Sequence, residues 1–308
     1  MNFSALLDKM VVFLVLMIIG YVLARRGSLN RDFVKAASSL TMNVFLSGSI
    51  LNSVISVDLD LGWAELGRLF LVVWVMQILG YLVAYLVSRL VPTDKEHRPV
   101  FELLMSMGNS MFIGLPIVQS LFGPEAVFYV SLSCIPFNVI LYSYGVWRLQ
   151  SGREDSKLRL KDILCMPLIA TLISLVLFLT HPPVPSAIRG LLSAVAGATM
   201  PMSMLVIGAT LGSVSLLDAF RSGRLYLVSL VRLLVIPVLT WFVCGLLTDD
   251  PVLLLTMVIV AACPCAVIIT VMANQYDRDS VFTAEGTLQS TALSMVTIPL
   301  LVYVLGSI

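Results

Sequence analysis

The chain has 308 residues, 59% hydrophobic and only 12% charged, with a formal net charge of +1 and a mean hydropathy of +1.00. Soluble domains carry about 25% charged residues, so this composition excludes a soluble two-domain protein, whose surfaces it has too little charge to coat. The near-zero net charge, without any basic block, excludes nucleic acid as a partner.

The first apolar run, Met10 to Ala24, has no basic leader, because Asp8 and Lys9 cancel. It ends in Ala24-Arg25-Arg26 rather than in a small-residue cleavage site, so it reads as a retained helix and not as a secretory signal. About 20 largely apolar residues cross the hydrocarbon core as a helix. Windows of that length predict ten spans, at residues 7–24, 35–56, 62–90, 100–121, 126–150, 163–180, 187–212, 223–247, 252–273 and 281–305. The third is long enough to require a tilt or an extension past the membrane surface. Cys134, Cys165, Cys244, Cys263 and Cys265 all lie in or beside apolar runs, where a thiol behaves as a small hydrophobe, and they give no disulfide framework.

The loops orient these spans. Arg25, Arg26, Arg31 and Lys35 follow span one; Arg89, Lys95 and Arg98 follow span three; Arg148, Arg153, Lys157, Arg159 and Lys161 follow span five. Arg221 and Arg224 follow span seven, and Arg278 follows span nine, whereas the other side has only Lys9, Arg68 and Arg189. Under the positive-inside rule the richer side is cytoplasmic, which predicts a multi-pass protein of the cell membrane with both termini outside.

The most hydrophilic loop falls near the midpoint. It suggests a first five-helix repeat at 1–150, a cytoplasmic linker at 151–162 and a second five-helix repeat at 163–308. An odd number of spans per half makes such a repeat inverted. Weak echoes agree in order. Leu40 to Val54 in span two resembles Ala198 to Val214 in span seven, Gly114-Leu115-Pro116 matches Cys263-Pro264-Cys265, and Glu125 to Phe128 matches Asp279 to Phe282. A proline within a helix removes one hydrogen bond and clashes with the preceding turn, at about 3 kcal/mol. Pro116 and Pro264, at matching places in spans four and nine, therefore predict two broken helices meeting at mid-depth, where transporter sites form.

Several segments resemble one known family. Gly108-Asn109-Ser110-Met111-Phe112-Ile113-Gly114-Leu115-Pro116 is similar to the span-four motif of the auxin efflux carrier family. Pro201 to Ala209 resembles its span-seven motif, Arg232 to Pro237 its span-eight motif, and Ala262 to Tyr276 its span-nine segment. The resemblance implies an all-α membrane fold of ten helices in two inverted repeats, akin to bile-acid symporters and sodium–proton antiporters. Spans four and nine would be broken and cross. Spans three to five and eight to ten would form a transport domain moving in elevator fashion, and spans one, two, six and seven a scaffold, commonly dimeric. It also implies anionic solutes, auxin in plants and small carboxylates in bacteria. The absence of a long central loop marks the short bacterial type, and Cys263 and Cys265 stand where family members vary.

The candidate solute site is accordingly Asn109, Ser110, Gly114, Pro116, Pro264 and Cys265. Asn109 lies about 10 Å before Pro116 at a helical rise of 1.5 Å per residue. Its amide donates to a carboxylate without the cost of an intramembrane cation, none being expected nearby, and half-helix N-termini add partial positive charge. Gly114 permits close crossing of backbones. Asn43 and Asn138 read as buried polar groups of spans two and five that either join this site or tie helices together. Arg232, Glu102 and Glu285 are the ionisable groups deepest in their spans and are expected to meet as a structural or proton-coupling set. His97 and His181 sit in loops and suggest no metal. The Cys-Pro-Cys triplet resembles the metal site of copper-type pumps, but no loop is long enough for their cytoplasmic domains. No cofactor is expected. The sequence therefore reads as a secondary carrier of small organic anions with a proton or sodium ion as the possible coupling partner, rather than an enzyme. A sodium-coupled bile-acid-type symporter and a channel are the alternatives.

Overall fold

The computed structural model describes residues 3–56, 62–93, 97–150, 166–180, 182–212, 219–276 and 278–305. The linker at 151–162 and the loop lysine Lys95 lie outside them. Every predicted span meets helix in the structure: α1 (Phe3–Arg25), α2 (residues 31–56), α3 (Trp63–Leu90), α4 (Arg98–Ser106), α5 (Ser110–Phe122), α6 (Pro124–Gln150), α7 (Met166–Thr180), α8 (Ser186–Leu211), α9 (Gly223–Gly245), α10 (Pro251–Ala262), α11 (Val267–Gln275) and α12 (Ser280–Leu305). Five of them, α3, α6, α8, α9 and α12, are each long and apolar enough to cross a membrane unaided, and α1, α5, α7 and α10 contribute shorter apolar stretches. Among the described residues there is no strand, only an isolated antiparallel bridge between Gly108 and Cys265.

Local chemistry sets the boundaries. The Asn30 side chain accepts from Phe33 N at 2.8 Å and starts α2. The Asp250 side chain does the same for α10, accepting from Val252 N, with Pro251 in the first turn where its missing N–H is not needed. Gly123, at φ 79°, lets α5 stop and α6 begin at once.

Two widened π-turns, Ser110–Gly114 and Val231–Val235, each end two residues before a proline, Pro116 and Pro237. A proline ring clashes with the carbonyl four residues back, and widening the turn moves that carbonyl away. Both helices thus carry their proline without breaking at it.

Contacts divide the chain into two compact units, Met1–Gly67 with Met111–Ile135 and Leu164–Ser213, and Arg68–Ser110 with Pro136–Ile163 and Val214–Ile308. Within the first, α1 lies tight against α8. A Cβ on Gly20 would overlap the carbonyl of Leu205, and one on Gly208 would overlap that of Met17. In a bilayer helices gain little from hydrophobicity against each other, so close backbone approach at small residues supplies the packing. Hydroxyls add ties across helices: Thr199 Oγ1 donates to Phe45 O at 2.9 Å, inside the π-turn Thr41–Leu46 of α2, and Ser174 Oγ donates to Ile50 O at 3.2 Å.

The second unit contains α3, α4, the end of α6, and α9 to α12, and within it the site residues converge.

Candidate functional site

Span four leaves the helix after Ser106 and resumes at Ser110; span nine leaves after Ala262 and resumes at Val267. Met107 and Cys263, which follow the two first halves, are both extended. The two breaks lie against each other. Asn109 N donates to Pro264 O at 2.8 Å, and Ala266 N donates to Met107 O at 2.9 Å. Cys265 N donates to Ser290 Oγ of α12 at 3.1 Å. Pro264 has no N–H to leave unpaired, so the break in span nine exposes one donor fewer.

Three carbonyls at the ends of the broken helices are met by one side chain. Arg232 of α9, only 4% exposed, donates from Nη1 to Ser106 O at 3.0 Å, from Nε to Cys263 O at 2.8 Å and from Nη2 to Val260 O at 3.2 Å. It therefore holds the C-terminal ends of both α4 and α10. The guanidinium lies where a side chain on Gly108 would be, and a Cβ there would overlap Nη2. Arg232 and Gly108 also line a narrow cavity of about 10 Å3 with Gln77, Ser106, Ser110 and the apolar Met76, Phe137 and Ile236. That is about the space of one water.

This geometry corrects four expectations. The break in span four is at Met107–Asn109, where a glycine admits the guanidinium, and not at Pro116, which sits buried in the helix behind its widened turn. A cation does stand at the crossover. Arg232 does not pair with Glu102 or Glu285, because its bonds go to backbone carbonyls and, among the described residues, to no carboxylate. Asn43 is exposed, its amide donating to Ser39 Oγ one turn back, because it falls on the outer face of α2.

Glu102 has another partner. It is fully buried and accepts from Arg148 Nη2 at 2.7 Å, from the Tyr144 hydroxyl, and from Ser88 Oγ at 3.3 Å. The carboxylate thus ties the middle of α4 to the end of α6 and to α3. Counted only as a loop charge in the sequence, Arg148 ends a helix whose last turns pack inward, and its side chain is mostly buried. Glu285 is part-buried on α12.

The remaining candidates are distributed as follows. Asn109, Ser110 and Cys265 are buried at or beside the bridge, and Asn138 is buried on α6 in the same unit. Gly114 is buried in α5, within the other unit. The Asn109 side-chain nitrogen has no hydrogen-bond partner among the described residues although it is buried. Leaving such a donor unmade costs about 1–3 kcal/mol, which a fold tolerates where a ligand or water completes it. Gly108, Gln77 and Ser290 went unnoticed in the sequence. Only Gly108, the first residue of the span-four motif, carried a signal there.

A helical bundle of several apolar spans, with two interrupted helices bridged through their backbones inside it, defines a multi-pass membrane transport protein. Residues 5–302 match the family described as membrane transport protein, and the chain belongs to that family, which includes the auxin efflux carriers. It is 27% identical over 306 residues to an uncharacterized transporter of Methanothermobacter thermautotrophicus, covering 97% of this chain and 98% of that one. It is 23% identical over 306 residues to an uncharacterized transporter of Methanocaldococcus jannaschii, covering 96% and 97%.

Proposed function

We propose that this protein is a secondary carrier of small organic anions, working by elevator-type alternating access, with the solute's carboxylate held at the crossover. The observation that carries this reading is the buried, unpartnered amide of Asn109, set on a backbone bridge between two interrupted helices. An amide offers a carboxylate two donors and is itself neutral. Irregular backbone at membrane depth is tolerated where it is buried in protein or lines a cavity, and this bridge does line one.

On this reading α3 to α6 and α9 to α12 belong to the transport domain, α1, α2, α7 and α8 to the scaffold, and the halves 1–150 and 163–308 are inverted repeats. The matching interruptions at Met107–Asn109 and Cys263–Ala266 support the repeat, and the grouping of α3, α4, the end of α6 and α9 to α12 by contact supports the two roles, while residues 111–135 group with α1, α2, α7 and α8. The protein is placed in the cell membrane with both termini outside, as a homodimer.

The test is uptake of labelled carboxylates into proteoliposomes, with an apolar monocarboxylate and a dicarboxylate compared. Saturable uptake that unlabelled solute competes away is the expected result. Flux rising linearly with concentration would identify a channel, and no flux of any carboxylate would overturn the assignment of anions.

A further inference from the structure

The carbonyl ends of α4 and α10 point at the same place, and the solute must come close to it if the crossover is the transport site. Each helix C-terminus carries roughly half a negative charge. Two such ends, brought together on Ser106 O, Val260 O and Cys263 O, amount to about one negative charge in a buried region. Left uncancelled, that charge offsets the positive ends from which the second half-helices start at Ser110 and Val267, and it draws a cation rather than a carboxylate. The one charged group against those carbonyls, among the described residues, is the Arg232 guanidinium, which meets all three and no acid; Val260 O also accepts from Cys263 N at 3.3 Å.

We propose that Arg232 sets the charge selectivity of the crossover, its guanidinium cancelling the negative ends of both half-helices so that an anion rather than a cation is the favoured solute. The proposal rests on the crossover being the solute site. Arg232 acts here as a positioning residue: its hydrogen bonds are already spent on the backbone, and it acts by the charge it neutralises. Three features fit this role. A buried guanidinium needs its donors met, and here they are met by the helix-end carbonyls themselves. A buried arginine that served an ion pair would have an acid beside it. The absence of a side chain on Gly108, where any Cβ would overlap Nη2, shows that the backbone is shaped around the guanidinium. The fork also matters: three carbonyls from two helices are reached from Nε, Nη1 and Nη2, a spread that a lysine ammonium does not have.

The experiment reads the electrostatics directly and needs no identified solute. Wild type, Arg232→Lys and Arg232→Gln are purified in detergent, and their melting temperatures are compared in sodium chloride and in choline chloride at equal concentration. In Arg232→Gln the uncancelled carbonyls and the narrow cavity admit sodium, which is smaller than water, and exclude choline. That variant should melt lower than wild type and be raised by sodium over choline, whereas wild type and Arg232→Lys show no such difference. Arg232→Lys, which keeps the charge and loses the fork, should melt between the other two. Where Arg232→Gln does not fold at all, a folded, sodium-indifferent Arg232→Lys is the supporting result. The proposal is overturned if Arg232→Gln is folded and indifferent to sodium, or if Arg232→Lys is no more stable than Arg232→Gln. A second arm follows uptake of labelled sodium and of a labelled carboxylate into proteoliposomes, where the ratio of carboxylate to sodium flux should fall at least tenfold from wild type to Arg232→Gln and recover in part in Arg232→Lys. Failure of carboxylate uptake in wild type would count against the proposed function, and the melting comparison would still decide the role of Arg232.

Discussion

Asn109 and Gly108 are neighbours in sequence with opposite uses: one offers a side chain, the other the lack of one. The Asn109 amide is buried without a partner, and a hydrogen bond from it to a charged solute is worth about 1.5–3 kcal/mol. Asn109→Ala should therefore raise the apparent solute constant by roughly ten- to a hundredfold, since each 1.4 kcal/mol is tenfold. The variant should stay folded, because its backbone N–H still reaches Pro264 O. Asn109→Asp should be worse, since it sets a second negative charge against the anion. An unchanged constant in well-folded Asn109→Ala protein would place the anion elsewhere. Gly108→Ala puts a methyl group where the Arg232 guanidinium lies. It should lower the melting temperature markedly in the wild-type background and much less when Arg232 is already glutamine. Equal losses in both backgrounds would mean that the two residues do not share the space, because independent sites add.

Among the elements, α4 is short and held at two points. Arg232 takes its C-terminus, and the ion pair of Glu102 with Arg148 fixes its middle to the end of α6. Removing one member of a buried pair leaves the other charge unmatched, at about 3–5 kcal/mol. Arg148→Ala should therefore be strongly destabilising, and adding Glu102→Gln should recover part of the loss; thermal unfolding of the four proteins of this double-mutant cycle measures it. Strict additivity would show that the pair contributes nothing jointly. Helix α8 makes the contrasting case, packing by smallness instead of charge. Gly208→Val requires α1 to move off the Met17 carbonyl, and overpacking of this kind costs about 1–3 kcal/mol. It should lower the melting temperature and leave the solute constant unchanged, because Gly208 lies in the first unit and the crossover in the second. A shift in the solute constant would show that the α1–α8 contact is coupled to binding.

For the whole molecule, charge placement outside the spans makes the prediction. All the basic residues except Lys9, Arg68, Arg189 and Arg232 fall at the ends of odd-numbered spans, and such residues stay on the cytoplasmic side. A reporter fused after Ile308 should read outside, and one placed in the 151–162 linker should read inside. Finding both on one side of the membrane would break the ten-span arrangement. The same distribution explains why the interior can hold so few ions: an isolated charge in the hydrocarbon region is costly, and Glu102, Arg148 and Arg232 each meet polar partners that offset it.

What the sequence determined by itself was what depends on local composition. Apolar length placed the helices to within a few residues, as in α3 and α12. The motif from Gly108 to Pro116 located one of the two interruptions, though it misplaced the break by several residues, because a proline is a visible helix breaker and a glycine needed for close approach is not. Depth along a span is legible in the sequence but the face is not, and Asn43, deep in its span, lies on the exposed face. Only the tertiary structure decided the partners. Arg232 and Ser106 are 126 residues apart in the chain, and Glu102 and Arg148 are 46 apart. Three deep charges suggested one cluster, whereas the folded chain gives Glu102 an arginine and Arg232 a set of carbonyls. The reason is physical: a buried charge is satisfied by whatever dipoles packing brings to it, and helix ends, which carry charge without any charged residue, leave no mark in a sequence.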